Sequence, residues 1–113
     1  MSTNAFINVK IEGRDCYYVV YLHWDGDMAG SILREHYNDY DSAVELVTNG
    51  DISSLGKLIS PPEGVPHSFN NPAPDVTVFY QRDRNDGGSR VRIKNKPVRD
   101  CYSYTFEDGE WRG

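Results

Sequence analysis

An α+β domain is the fold class this sequence predicts: an antiparallel sheet of about five strands, with two helices inserted after the second strand. Three observations predict it. Two runs rich in β-branched and aromatic residues flank a short turn near the N-terminus. Two segments with helical spacing follow, and strand-like runs return after a proline-rich connection. The resulting order, ββααβββ, places runs of strands on either side of a helix pair. A chain of 113 residues fits a single domain, 1–113, around one core.

Residues 5–11 (AFINVKI) and 16–22 (CYYVVYL) read as strands, and Glu12-Gly13-Arg14-Asp15 supplies the turn of an antiparallel hairpin. The first run alternates, with Phe6 or Ile7, Val9 and Ile11 competing for the buried side. The second is apolar almost throughout, which suits a central strand covered on both sides. After the loop His23-Trp24-Asp25-Gly26-Asp27, the spacing of Ile32, Leu33, His36 and Tyr37 predicts a helix over about 28–38. Asp27 is placed to cap it, and His36 to lie on its apolar stripe. Ser42-Ala43-Val44-Glu45 is a capping-box pattern opening a second helix that Asn49-Gly50 ends near residue 49.

Asp51–Gly56 reads as one more helical turn. Residues 57–74 hold five of the six prolines and little periodicity, the marks of a long surface connection. Strands are expected again at 75–81, 89–94 and 101–107, with Asp86-Gly87-Gly88 and Asp108-Gly109 as turns.

The net charge of −5 is unevenly spread. Residues 82–99 hold seven basic side chains against two acidic ones, a local +5, which leaves −10 on the rest of the chain. Such segregation favours an oriented field and a preferred docking face. In a strand, Arg90, Arg92, Lys94 and Lys96 share one side, with Val91 and Ile93 turned to the core. Arg82 and Arg84 stand across the turn. The stripe can meet an acidic protein surface, neutralise the phosphates of single-stranded nucleic acid, or simply protect a solvated edge strand. Arg82, Arg84, Arg90, Arg92 and Lys94 are the expected partner contacts, with Trp24 and Tyr80 as aromatic anchors. A sequence pI near 5.0 weighs against a dedicated nucleic-acid binder.

No apolar run approaches the roughly 20 residues of a membrane span, and the N-terminus lacks a signal-peptide pattern, so a cytoplasmic protein is expected. Cys16 and Cys101 are the only cysteines and fall in strand-like runs; buried thiols are the favoured reading over a disulfide. His23, Asp25 and Asp27, with His36 on the following helix, form the one constellation that could serve a metal-dependent hydrolase. Their spacing matches no closed metal motif, and capping already accounts for a carboxylate at a helix start. No catalytic, metal or cofactor site is assigned.

Several motifs occur together. Tyr21-Leu22-His23-Trp24-Asp25-Gly26 is followed by Gly30, by Leu33 and His36-Tyr37-Asn38, and then by Gly50-Asp51-Ile52-Ser53-Ser54-Leu55-Gly56. Tyr80-Gln81-Arg82-Asp83-Arg84 and the closing Phe106-Glu107-Asp108-Gly109-Glu110-Trp111 complete the set. The chain thereby resembles a family of small proteins encoded by tailed phages and prophages, which carry an HWDG box, an LxxHY helix and a GDxSSLG segment. It departs from that pattern at Asp27-Met28, where an aromatic–proline continuation is expected. The resemblance implies a phage accessory protein acting in the host cytoplasm by stoichiometric binding to a host or antiviral-defence protein, as anti-CRISPR proteins do. It carries over no catalytic residues.

Overall fold

The N-terminal hairpin forms as the turn signal requires. Strand β1 (Ala5–Lys10) pairs antiparallel with β2 (Tyr17–Leu22), Ala5 opposite Leu22 and Lys10 opposite Tyr17. In the computed structural model, which describes residues 3–100 and 102–113, the elements after this hairpin depart from the expected antiparallel meander. A 3-10 turn (Gly26–Met28) leads into α1 (Ala29–His36), and α2 (Tyr40–Thr48) follows. Next come β3 (Ile52–Ser54), β4 (Val78–Phe79), α3 (Tyr80–Arg84), β5 (Arg92–Lys94), β6 (Tyr102–Glu107) and β7 (Glu110–Arg112).

The sheet is mixed, not antiparallel. Its order is β4-β3-β2-β1-β6-β7, with β5 also paired to β2. β1 runs parallel to β6, Ala5 beside Tyr102, and β2 runs parallel to β3 at Leu22 and Ile52. The correction has a plain cause. The helix pair and the 57–76 connection carry the chain back across the sheet, so later strands enter in the direction of their new neighbours.

One face of the sheet is covered by α1 and α2. Ala5, Ile7, Val9, Val20 and Leu22 meet Leu33, Tyr37, Ala43, Leu46 and Val47 there, with Tyr104, Phe106 and Trp111 joining from β6 and β7. Burying these side chains is the main stabilising term. Two aromatic side chains of this core satisfy their polar groups on backbone carbonyls. The Trp111 indole N–H donates to the carbonyl of Tyr37 at 2.8 Å, and the Tyr104 hydroxyl donates to that of Gly26 at 2.6 Å.

Several local expectations are corrected. Asp51–Gly56 is not a helical turn, because Ile52 finds a partner in Leu22 and extends as β3. The strand expected over 75–81 stops at Phe79, where the Asp83 carboxylate accepts the Phe79 N–H at 2.9 Å and the chain turns into α3. The cap of α2 is Asp39, which accepts the Ser42 N–H at 2.7 Å, so the Ser42–Glu45 box is displaced by three residues. Met28 rather than Asp27 occupies the N-cap position of α1, and His36 is exposed rather than in the core. Ile93 is also turned outward, 59% exposed, because β5 is too short and too near the sheet margin to be covered.

The last residues follow the sequence closely. Asp108 and Gly109 both take positive φ, 56° and 80°, and close the β6–β7 hairpin. Cys16 is half-buried; Cys101, and with it the question of a disulfide, lies outside the described residues. Among the described residues no helix is long and apolar enough to cross a membrane.

Candidate functional site

The face of the sheet opposite α1 and α2 carries two of the residues expected to bind a partner, Arg92 and Lys94. Alternation turns Phe6, Asn8, Tyr17, Val19 and Tyr21 to this side. Asn8 is fully buried within it and clamps the segment after β5. Its side-chain amide donates to the carbonyl of Val98 at 3.0 Å, and its side-chain oxygen accepts the Val98 N–H at 2.9 Å. One side chain thus replaces a peptide unit of a missing strand.

The outer edge of β2 is divided between two strands. β5 lies along Tyr17–Val19, with Arg92 opposite Val19 and Lys94 opposite Tyr17, while β3 begins at Leu22. Between them the Tyr21 N–H would be left without a ladder partner. The Asp51 carboxylate fills the gap, accepting that N–H at 2.9 Å and binding Arg92 at 2.8 Å. Arg92 is therefore fixed by the sheet margin as well as displayed on it.

Arg82 serves the 57–76 connection. Its guanidinium donates to the carbonyls of Ile59 at 2.6 Å and Thr77 at 3.0 Å, binds Asp83 at 2.9 Å, and lies 4.9 Å from the Phe79 ring centre. Asp83 and His67 complete the anchor, 3.3 Å apart, with side chains only 6% and 4% exposed. His67 Nδ1 accepts the Ala73 N–H at 2.9 Å, so the neutral ring carries its proton on Nε2 and donates it to Asp83. Burial acts to raise the pKa of the Asp83 carboxyl. Hydrogen bonds from Arg82, the Phe79 N–H and His67, with the Arg82 charge, outweigh it and hold the carboxyl below its usual range.

Five further predicted contacts stand exposed or half-buried as cations or rings. Arg84, Arg90 and Lys94 are exposed, and among the described residues none has a carboxylate within ion-pair distance. The Arg84 guanidinium stands 5.2 Å from the Phe69 ring centre, and Arg90 Nε donates to the carbonyl of Gly87. Trp24 is 45% exposed and meets the His23 ring edge-on at 4.7 Å. Tyr80 is half-buried against Phe69 at 5.6 Å. It also lines a shallow cleft of about 520 Å³ with Tyr21, Asp51, Arg84, Asn85, Asp86 and Ser89.

His23, Asp25 and His36 do not converge. His23 Nδ1 is 2.9 Å from the Tyr21 hydroxyl, His36 is 3.7 Å from Glu35, and Asp25 sits at positive φ before the 3-10 turn. Among the described residues no group of three or more His, Cys, Asp or Glu side chains is placed to hold a metal ion.

Several motif residues have architectural duties. Gly26 passes so near Asn4 and Ala5 that a Cβ would stand 2.7 Å from the Ala5 side chain. Gly50 takes φ 94° against the Ser89 backbone, and the Tyr37 hydroxyl donates to the carbonyl of Gly56 at 2.7 Å. Phe6, Tyr21 and Asp51 are the site residues that sequence reasoning missed. Tyr21 and His23 do share a strand side by their spacing, but Asp51 meets Arg92 across 41 residues and leaves no local signal. No protein-family model, no curated protein and no solved structure matches this chain.

Proposed function

We propose that this chain is a non-enzymatic accessory protein of a tailed phage or prophage that binds a host or antiviral-defence protein stoichiometrically in the host cytoplasm. The resemblance in the HWDG, LxxHY and GDxSSLG segments supports the phage context. The observation that carries the binding reading is the set of exposed cations Arg84, Arg90 and Lys94, which among the described residues form no ion pair, on a chain whose remainder is strongly acidic. Such a patch steers an acidic surface into one orientation, and the exposed Trp24 offers the apolar contact that charge alone lacks.

The test is affinity capture from nuclease-treated host lysate, comparing the native protein with Arg90→Glu/Lys94→Glu. Arg92 is left intact because it holds Asp51. The expected result is one host protein retained in near-equal amount by the native chain and lost with the double variant. Equal capture by both would show that this face is not the docking surface.

A further inference from the structure

The helix-free face carries an aromatic series as well as cations. Phe6 lies 5.8 Å from Tyr21, Tyr21 5.9 Å from His23, and His23 4.7 Å from Trp24, centre to centre. The row runs from half-buried Phe6 to the exposed edge at Trp24. Tyr21 also lines the cleft, together with Tyr80, whose ring lies 5.6 Å from Phe69. The Arg84 guanidinium lines it as well, beside the Asp51 and Asp86 carboxylates. Arg92 is held near Tyr21 by the shared Asp51 carboxylate, and Arg84 lies over Phe69 beside Tyr80. Lys94 on β5 and Arg90, two residues before that strand, add exposed positive charge.

We propose that this face binds single-stranded nucleic acid, with unpaired bases on Trp24, Tyr21 and Tyr80 and the phosphates along Arg84, Arg90 and Lys94. A protein partner would use the cations and the exposed Trp24 but gain little from the half-buried faces of Tyr21 and Tyr80. An unpaired strand uses both, since any base stacks on an aromatic side chain and each phosphate meets a cation. Duplex DNA hides its bases and would engage the cations alone. Rings and charges also alternate along the site, since Tyr80 and Arg84 share α3 while Lys94 stands opposite Tyr17 on β5. This activity goes beyond the host-protein reading and does not depend on it, although the shared cations make the two partners mutually exclusive.

Fluorescence anisotropy of a labelled oligothymidylate of about 20 nucleotides, titrated with the purified full chain, tests the proposal. Affinity should fall with salt at a log–log slope of about −2, as expected for three phosphates neutralised on a single strand. Trp24 emission should be quenched on binding. Trp24→Ala and Tyr80→Leu, checked for native circular dichroism, should each weaken binding about tenfold or more. Duplex of the same length should bind more weakly than the single strand. Absence of binding at low salt would overturn the proposal, as would full affinity in both ring variants. Poly-L-glutamate binding as tight as the oligonucleotide would also overturn it, because the face would then be a surface for acidic protein.

Discussion

Asn8 and Gly26 show how single side chains set the sheet face. Asn8 pairs with both backbone groups of Val98 from a fully buried position. Asn8→Ala leaves those groups without partners and should cost about 1–3 kcal/mol, read as a lowered urea midpoint with an unchanged slope. Gly26→Ala should cost a similar 1–3 kcal/mol, because the added methyl overlaps Ala5 and the Asn4 backbone. Neither role was legible beforehand. An asparagine in an alternating strand reads as a solvated position, and the need for a bare Cα at Gly26 arises from the distant Asn4–Ala5 segment. Trp24, Arg84, Arg90 and Lys94 were legible as exposed groups from residue type and spacing alone.

Among the elements, the local patterns that succeeded were those closed by neighbouring residues. The first hairpin, both long helices and the Asp108-Gly109 turn all form where periodicity and turn chemistry place them. Failures occurred where a distant partner decides the outcome. Ile52 extends because Leu22 lies beside it, and the parallel β1–β6 pairing joins residues that no local pattern links. The connection is the clearest case: residues 57–74 read only as a long surface connection, yet Arg82, His67 and Asp83 tie it to α3. Arg82→Ala should therefore leave the circular dichroism near native while limited proteolysis cuts within 57–76 several times faster.

Asp83 adds a pH signature at the same scale. Its folded pKa is depressed, so its contribution to stability is complete above the ordinary carboxylate pKa and is lost as pH falls through the folded value. The native protein should lose urea resistance below about pH 4, and Asp83→Asn should lower stability at neutral pH while flattening that acid loss. An acid limb of the same depth in both proteins would remove the anchor role of the carboxylate.

For the whole molecule, charge and topology act together. The sheet separates a helical side from a face on which Arg92 and Lys94 share the side of Tyr17 and Val19. A domain with net charge −5 can thereby present a positive field locally. Capture of an acidic partner should weaken as salt is raised from low to physiological strength, because the cations are exposed and screened. Salt-independent capture would place the contact on the apolar surface near Trp24 instead. The sequence disclosed the amount of segregated charge but not its division. The structure assigns Arg82 and Arg92 to internal partners and leaves Arg84, Arg90 and Lys94 outward.

The parallel seam between β1 and β6 also governs how the chain can be made. Ala5 leaves the ribosome well before its neighbour Tyr102. Until then β1 has one edge closed by β2 and the other open along its own Phe6 and Ile7. The nascent hairpin must wait in that state, vulnerable to pairing with another strand. A chain stopped after residue 100 would keep both helices and the first hairpin in its sequence, but it would lack the strand that seals them. It should aggregate rather than fold, so the β6–β7 hairpin acts as the closing half of a clasp whose first half is made earlier.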